Sequence, residues 1–343
     1  MTTASLLSTP PNRRHPTLWA EKRLSVRYSV CLETVVGEGE SVGEVGVMMN
    51  QVNRVLKPLA RLFGLALWLL LVSAAAAGGE RALLFEISTP AAPPCYLFGT
   101  FHSEDPRVLA LSSATRDAFE RSPVFILEMI PDAQALARSM QIMVYGDDRD
   151  LARVAGAPLY GRLVEAAAEL GLPEAAIRGF KPWAAATLLG LPPARTGEFL
   201  DIHLYRTALA AGKEVIGLET IEEQVAVFDS LGEEDQLLML KETLDNRHQL
   251  PRVFERLLAA YLDRDLTALA LLGDEYLGQG DPGLAENFRR AALDDRNLRM
   301  AARLDAYLRA GGCFIAVGAL HLPGEDGLLA RLGRAGLRVR AVD

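Results

Sequence analysis

The sequence predicts an α/β fold: a mainly parallel central sheet with an N-terminal β-hairpin and large helical insertions between the strands. Three observations predict it. Apolar runs of strand length recur at 83–88, 95–98, 124–127, 214–219, 313–317 and 337–342. Stretches of helical periodicity too long for a simple connection separate several of them. Two of the runs also end alike: Cys95-Tyr96-Leu97-Phe98 leads into Gly99-Thr100-Phe101-His102, and Cys313-Phe314-Ile315-Ala316-Val317 leads into Gly318-Ala319-Leu320-His321. A glycine closing a strand is expected to turn the backbone through a positive φ and set the histidine just past the strand's C-terminal end, where open α/β sheets gather their ligands. The alternative is a pair of unrelated, hydrogen-bonded turn histidines.

The elements follow in chain order. Leu83 to Ser88 and Cys95 to Phe98, separated by Thr89-Pro90-Ala91-Ala92-Pro93-Pro94, read as the hairpin. Val108 to Arg121 has helical periodicity and precedes the strand Val124 to Leu127, so a parallel crossover is expected. From Asp132 to Gly212 the pattern is helical, with stops expected at Pro158, at Gly171-Leu172-Pro173 and at Leu191-Pro192-Pro193. Lys181-Pro182-Trp183 reads as a helix start carrying an aromatic anchor. A third parallel strand, Glu214 to Glu219, runs into Thr220 and Glu223, the spacing of a capping box. Successive helices follow to Ala310. The strand Cys313 to Val317, a helix from Asp326 to Ala335 and the strand Leu337 to Val342 close the fold.

The 343 residues carry 36 Lys+Arg against 44 Asp+Glu, and half are apolar, the profile of a globular chain. The basic excess lies in the first 77 residues, 8 against 5, leaving 28 against 39 for the rest. An acidic body argues against nucleic acid as a partner. Arg54, Lys57 and Arg61, the apolar run Leu62 to Val72 and Ser73-Ala74-Ala75-Ala76-Ala77 have the three parts of a secretory signal. Three segments are therefore expected: 1–47 as an unstructured extension or misassigned start upstream of Met48, 48–77 as a signal peptide or membrane anchor, and 78–343 as one α/β domain. Export to the periplasm is the first expectation. A membrane anchor through 59–77, if the leader is uncleaved, is the other. Cys95 and Cys313 sit at equivalent places on the two echoing strands. The sequence leaves open whether they form a disulfide or stay buried as free thiols.

Parallel strands present their C-terminal ends on one edge, so His102, Glu128, Glu219 and His321, each at or just beyond a strand end, are candidates for one site. Two imidazoles and two carboxylates suit a divalent ion such as Zn, Mn or Co, and equally suit acid–base chemistry without a metal. Taken singly, each glutamate could instead cap a helix or pair on the surface. Asp201 can reach such a site from its helix, whereas His203 and His248 read as surface or satisfied core residues. Arg296-Asn297, at the start of the last long helix, could bind an anionic substrate or orient a carboxylate.

These residues, in this order and spacing, carry a resemblance over about 81 to 342 to the TraB/PrgY/GumN family. The carriers are Tyr96-Leu97-Phe98-Gly99-Thr100-Phe101-His102, the strand into Glu128, Lys181-Pro182-Trp183, Gly212 to Thr220 with Gln224, Arg296-Asn297, and Val317 to Gly324 followed by Gly327-Leu328-Leu329. The resemblance implies kinship with the TIKI metalloproteases and, more distantly, with an erythromycin-esterase and ChaN-like fold. On that basis His102, His321 and Glu128 would be metal ligands or acid–base groups, with Glu219 assisting. Arg296, Asn297 and Asp201 would bind substrate. Phe101, Leu320 and Asp201-Ile202-His203 depart from common family choices. The expected activity is exported metal-dependent hydrolysis, of peptides first. A non-catalytic protein holding a peptide or haem-like ligand, and a metal-free esterase, stand as the alternatives.

Overall fold

The two runs that end in Gly-x-x-His become neighbouring parallel strands in a computed structural model, which describes residues 81–343 apart from 91, 191, 193 and 194. The expected extension 1–47 and the expected leader or anchor 48–77 lie outside the described residues. Six strands form one sheet: β1 Leu84–Ser88, β2 Cys95–Thr100, β3 Val124–Leu127, β4 Glu214–Gly217, β5 Cys313–Gly318 and β6 Arg338–Ala341, in the order β4-β3-β5-β2-β1-β6. β2, β3, β4 and β5 are mutually parallel, and β1 runs antiparallel to both β2 and β6. The expected hairpin is thus β1–β2. The strand expected to follow β2 by a crossover, β3, lies one place further out, with the late strand β5 inserted between them.

β2 and β5 are buried along all six residues, the mark of strands covered on both faces. Phe119, Phe125 and Phe314 meet at centroid distances of 5.3 to 6.3 Å and fill one side of the sheet under the helix Ser113–Arg121. Cys95 and Cys313, opposite each other at the starts of β2 and β5 with Cα atoms 4.7 Å apart, are joined in a disulfide. That resolves the alternative the sequence left open.

The insertions are helical on both sides of β4. Between β3 and β4 lie Ala133–Met143, Leu151–Glu169, Glu174–Ile177, Pro182–Leu189 and Leu200–Ala210. The break expected at Pro158 falls at Gly156 instead, whose φ of +72° and ψ of 157° interrupt Leu151–Glu169 and allow Pro158 to start the second segment without a clash. The helix Pro182–Leu189 is anchored as its sequence suggests: Trp183 is buried, and its indole N–H donates to Asp229 Oδ1 at 2.9 Å beside Lys181 Nζ at 2.7 Å. The Thr220–Glu223 capping box opens Ile221–Asp229, the segment that carries the chain away from Glu219.

Glycine works differently here from the expected turn. Gly99 lies within β2 and has no positive φ, and Gly318 closes β5 at φ −52°. The constraint on Gly99 is closeness: a Cβ there would meet Leu322 Cδ1 at 2.7 Å and Ala319 Cα at 3.0 Å. The first histidine motif therefore packs directly against the turn of the second. Among the described residues no helix is long and apolar enough to cross a membrane.

Candidate functional site

Because Thr100 stands opposite Gly318 in the β2–β5 register, the chain leaves both strands at the same edge, and His102 and His321 follow within three residues. Glu128 follows β3 on that edge and Glu219 follows β4, with the Glu219 N–H donating to the Glu128 carbonyl at 2.7 Å. The four strand-end residues are thus on one border of the sheet. They form two separate clusters.

The first cluster surrounds His102. Its Nδ1 lies 3.0 Å from Asp201 Oδ2, and Thr100 Oγ1 donates to Asp201 Oδ1 at 2.6 Å. Desolvation pushes the Asp201 carboxyl up, but the hydrogen bonds from His102 and Thr100 outweigh it and hold the group below the usual carboxylate range. An ionised carboxylate only accepts, so the proton between them sits on Nδ1, and the lone pair of the neutral form of the ring belongs to the opposite nitrogen. That nitrogen, Nε2, is buried and has no hydrogen-bond partner. Phe199 stacks on the ring at a centroid distance of 4.1 Å and fixes its plane. The ring borders a cavity of about 210 Å³.

The second cluster is built on Arg296, which is wholly buried at the start of the helix Asp295–Ala310. Its Nη2 donates to Glu128 Oε2 at 2.6 Å and to Glu219 Oε2 at 2.6 Å, and its Nε donates to Glu219 Oε2 at 2.9 Å. Desolvation alone would favour the neutral form. The two carboxylates reverse that and raise the guanidinium above its ordinary value, so it stays charged. Glu128 is completed by the Gly318 amide on Oε1 at 2.7 Å and by Gln224 Nε2 on Oε2 at 3.3 Å. Asn297 donates its Nδ2 to the Asp326 carbonyl at 3.0 Å, which turns its Oδ1 to His321 Nδ1 at 2.7 Å. His321 therefore also carries its proton on Nδ1. Burial first, and the Arg296 charge second, push His321 well below the ordinary imidazole value, so it is neutral near pH 7. Its Nε2 lone pair faces Glu128 Oε1 at 3.6 Å.

The sequence-derived candidates thus divide. His102 joins Asp201, while His321, Glu128, Glu219, Arg296 and Asn297 join one another. Asp201 orients an imidazole in this geometry. Arg296 offers no free face to a substrate, because its donors are engaged within the protein. Asn297 fixes a tautomer. His203, with its side chain 42% accessible, lies outside both clusters. Thr100, Phe199 and Tyr261 were not singled out by sequence; the Tyr261 hydroxyl donates to the Gly99 carbonyl at 3.0 Å and its ring stacks on Phe101. Thr100 sits inside the Gly-x-x-His motif and was the one with a signal to follow.

A divalent ion held by His102, His321 and Glu128 requires those donors to converge. Among the described residues, no three His, Cys, Asp or Glu side chains are grouped so as to hold one. Glu128 already receives the Arg296 guanidinium and the Gly318 amide. The residues as arranged do not fit a metal centre, and no chemical step is derived through one.

Mixed sheet, helical insertions and paired Gly-x-x-His turns define an α/β protein with a polar site on the strand-end border. A profile of the TraB/PrgY/gumN family matches residues 83–341, and the chain belongs to that family. No curated protein and no solved structure matches the chain.

Proposed function

We propose that the chain is a hydrolase of ester or amide bonds in which His102, oriented by Asp201, is the general base. One observation carries the reading: a buried imidazole whose Nδ1 is fixed on an ionised carboxylate, whose Nε2 has no hydrogen-bond partner and whose ring borders a cavity. A lone pair so placed takes a proton from a water molecule as its oxygen bonds to the substrate carbonyl carbon. The imidazolium then returns that proton to the leaving oxygen or nitrogen as the tetrahedral intermediate collapses. Asp201 stabilises the imidazolium and fixes the tautomer. The Arg296 cluster holds the β3, β4 and β5 ends in register, which keeps the edge on which the base stands rigid.

A metal-dependent hydrolase is the second reading, favoured by one feature: both imidazoles bind a neighbour through Nδ1, as ligating histidines do. Peptides are the first substrate class to screen under either reading. The Cys95–Cys313 disulfide supports export to an oxidising compartment, the periplasm first, with a retained anchor through 59–77 as the alternative.

Incubation of the full chain with ester and peptide panels, with and without a chelator, tests this. Hydrolysis that survives chelation is expected. Loss on chelation with recovery on Zn, Mn or Co would transfer the assignment to the metal-dependent reading. Tight retention of a ligand without turnover would make the chain a binding protein.

A further inference from the structure

The cavity at His102 is lined in part by two aromatic side chains that the core does not use. Phe199 is buried yet stands apart from the main hydrophobic cluster, packing on the His102 ring instead. Phe254 and Leu258, one turn apart on the helix Leu250–Leu262, turn one face to the same space; Phe254 too lies outside that cluster and is only half-buried. A half-buried aromatic ring that adds nothing to the core and faces a buried imidazole across a cavity is a surface in want of an apolar occupant.

The polar rim indicates what that occupant is not. Glu104 receives the backbone N–H groups of Arg195 and Thr196 at 2.8 and 3.0 Å, and that of Gly197 as well. Desolvation works against its charge, but those backbone bonds outweigh it and keep the carboxyl below its ordinary value, hence ionised. Asp105 and Glu255 add two further carboxylates beside Arg195 on the same rim, and Asp105 is paired with Arg107 at 2.8 Å. An anionic group entering here meets more negative than positive charge.

We infer that this cavity is the specificity subsite of the His102 centre and takes an uncharged aromatic or branched apolar group attached to the carbonyl that is cleaved. The inference rests on the hydrolase reading for the word specificity, but not for the binding itself. The cavity can seat one ring-sized group, and burying such a group against Phe199, Phe254 and Leu258 keeps the adjoining carbonyl next to the His102 residue that lines the same cavity. Selection between acyl groups then follows from how much apolar surface each removes from water.

Two measurements on the full chain separate the inference from the reading it rests on. The first follows binding of 3-phenylpropan-1-ol, which cannot be hydrolysed, through the NMR signal of the His102 ring. Saturable shifts are expected, with loss in both Phe254→Trp and Leu258→Trp, which fill the cavity from two positions; folding of each is verified by circular dichroism. The second compares p-nitrophenyl phenylacetate, acetate and succinate, which share a leaving group. A kcat/KM about 10-fold or more higher for phenylacetate than for acetate is expected, with succinate lowest, and the preference should collapse in the filled variants. Binding without hydrolysis of any ester upholds the subsite and removes the hydrolase reading. Hydrolysis with equal rates on all three esters and no binding of the alcohol upholds the hydrolase and overturns the subsite.

Discussion

Replacing Arg296 with methionine tests the electrostatic logic of the strand-end border. Arg296 has no accessible surface, and it neutralises Glu219, whose side chain has none either, together with Glu128 at 17%. Methionine fills much of the volume but leaves the buried Glu219 with only the partly exposed Arg299 guanidinium, 3.4 Å away, to offset its charge. Breaking a buried ion pair by removing one partner costs about 3–5 kcal/mol. For a folded region of this size each kcal/mol moves the melting temperature by roughly 2–4 °C, so a fall on the order of 10 °C is expected. Urea unfolding followed by far-UV circular dichroism measures it directly. Two controls sharpen the result. Arg299→Met, which removes a guanidinium 36% exposed and 3.4 Å from the same carboxylate, should cost under about 1 kcal/mol. Arg296→Met combined with Glu219→Gln should recover part of the loss, because the uncompensated charge is gone. A folded Arg296→Met variant within about 1 kcal/mol of wild type would refute the reasoning.

Other outcomes follow from single contacts. Glu223 closes the capping box, and paired with Arg303 its carboxyl is lowered from an ordinary 4.5 to about 2, the Arg303 bonds outweighing desolvation. A lowered folded value contributes stability above the unfolded one, so Glu223→Gln should be less stable than wild type above about pH 5, with the difference vanishing as pH falls toward 2. Urea midpoints across that range measure it. Gly99→Ala forces a methyl against Leu322 and Ala319 and should cost about 1–3 kcal/mol by the same assay. Thr100→Val removes a donor to Asp201; kcat should fall several-fold and the acid limb of the pH–rate profile should move upward, while KM stays within about twofold, as expected for a group acting through the base.

Much of the architecture is legible in the chain because strands buried on both faces are written as apolar runs. Cys95 to Phe98, Val124 to Leu127 and Cys313 to Val317 all become strands, and four strand-end residues fall on one border as parallel pairing requires. Strand order is less legible. β5 enters between β2 and β3 after more than 180 intervening residues, and no local pattern encodes that choice. Gly99 reads as a turn residue because glycine's conformational freedom is its commonest signal; its actual constraint, contact with the turn after β5, is a tertiary fact. Pro158 reads as a stop because the ring forbids a helix interior, yet the positive φ at Gly156 had already broken the ladder.

The site divides for a similar reason. Sequence identifies residues able to ionise and the border they share, but not which neighbour takes each proton or charge. Arg296, near the start of a helix, reads equally as a substrate-facing cation or as a group that orients a carboxylate; the tertiary fold decides for the second by placing its guanidinium between two carboxylates. Asp201 lies 99 residues from His102, and the helix Leu200–Ala210 carries it there with Phe199 just before its first turn.

The central claim is that His102, fixed by Asp201, is the base for hydrolysis. The most direct measurement is kcat/KM of the full chain and of His102→Ala and Asp201→Asn on the best ester or peptide from the panel, in the presence of a chelator, with folding of each variant verified. A loss of about 10²–10⁴-fold is expected for His102→Ala and a comparable loss for Asp201→Asn, since both remove the oriented lone pair. Folded variants that keep wild-type kcat/KM would contradict the account.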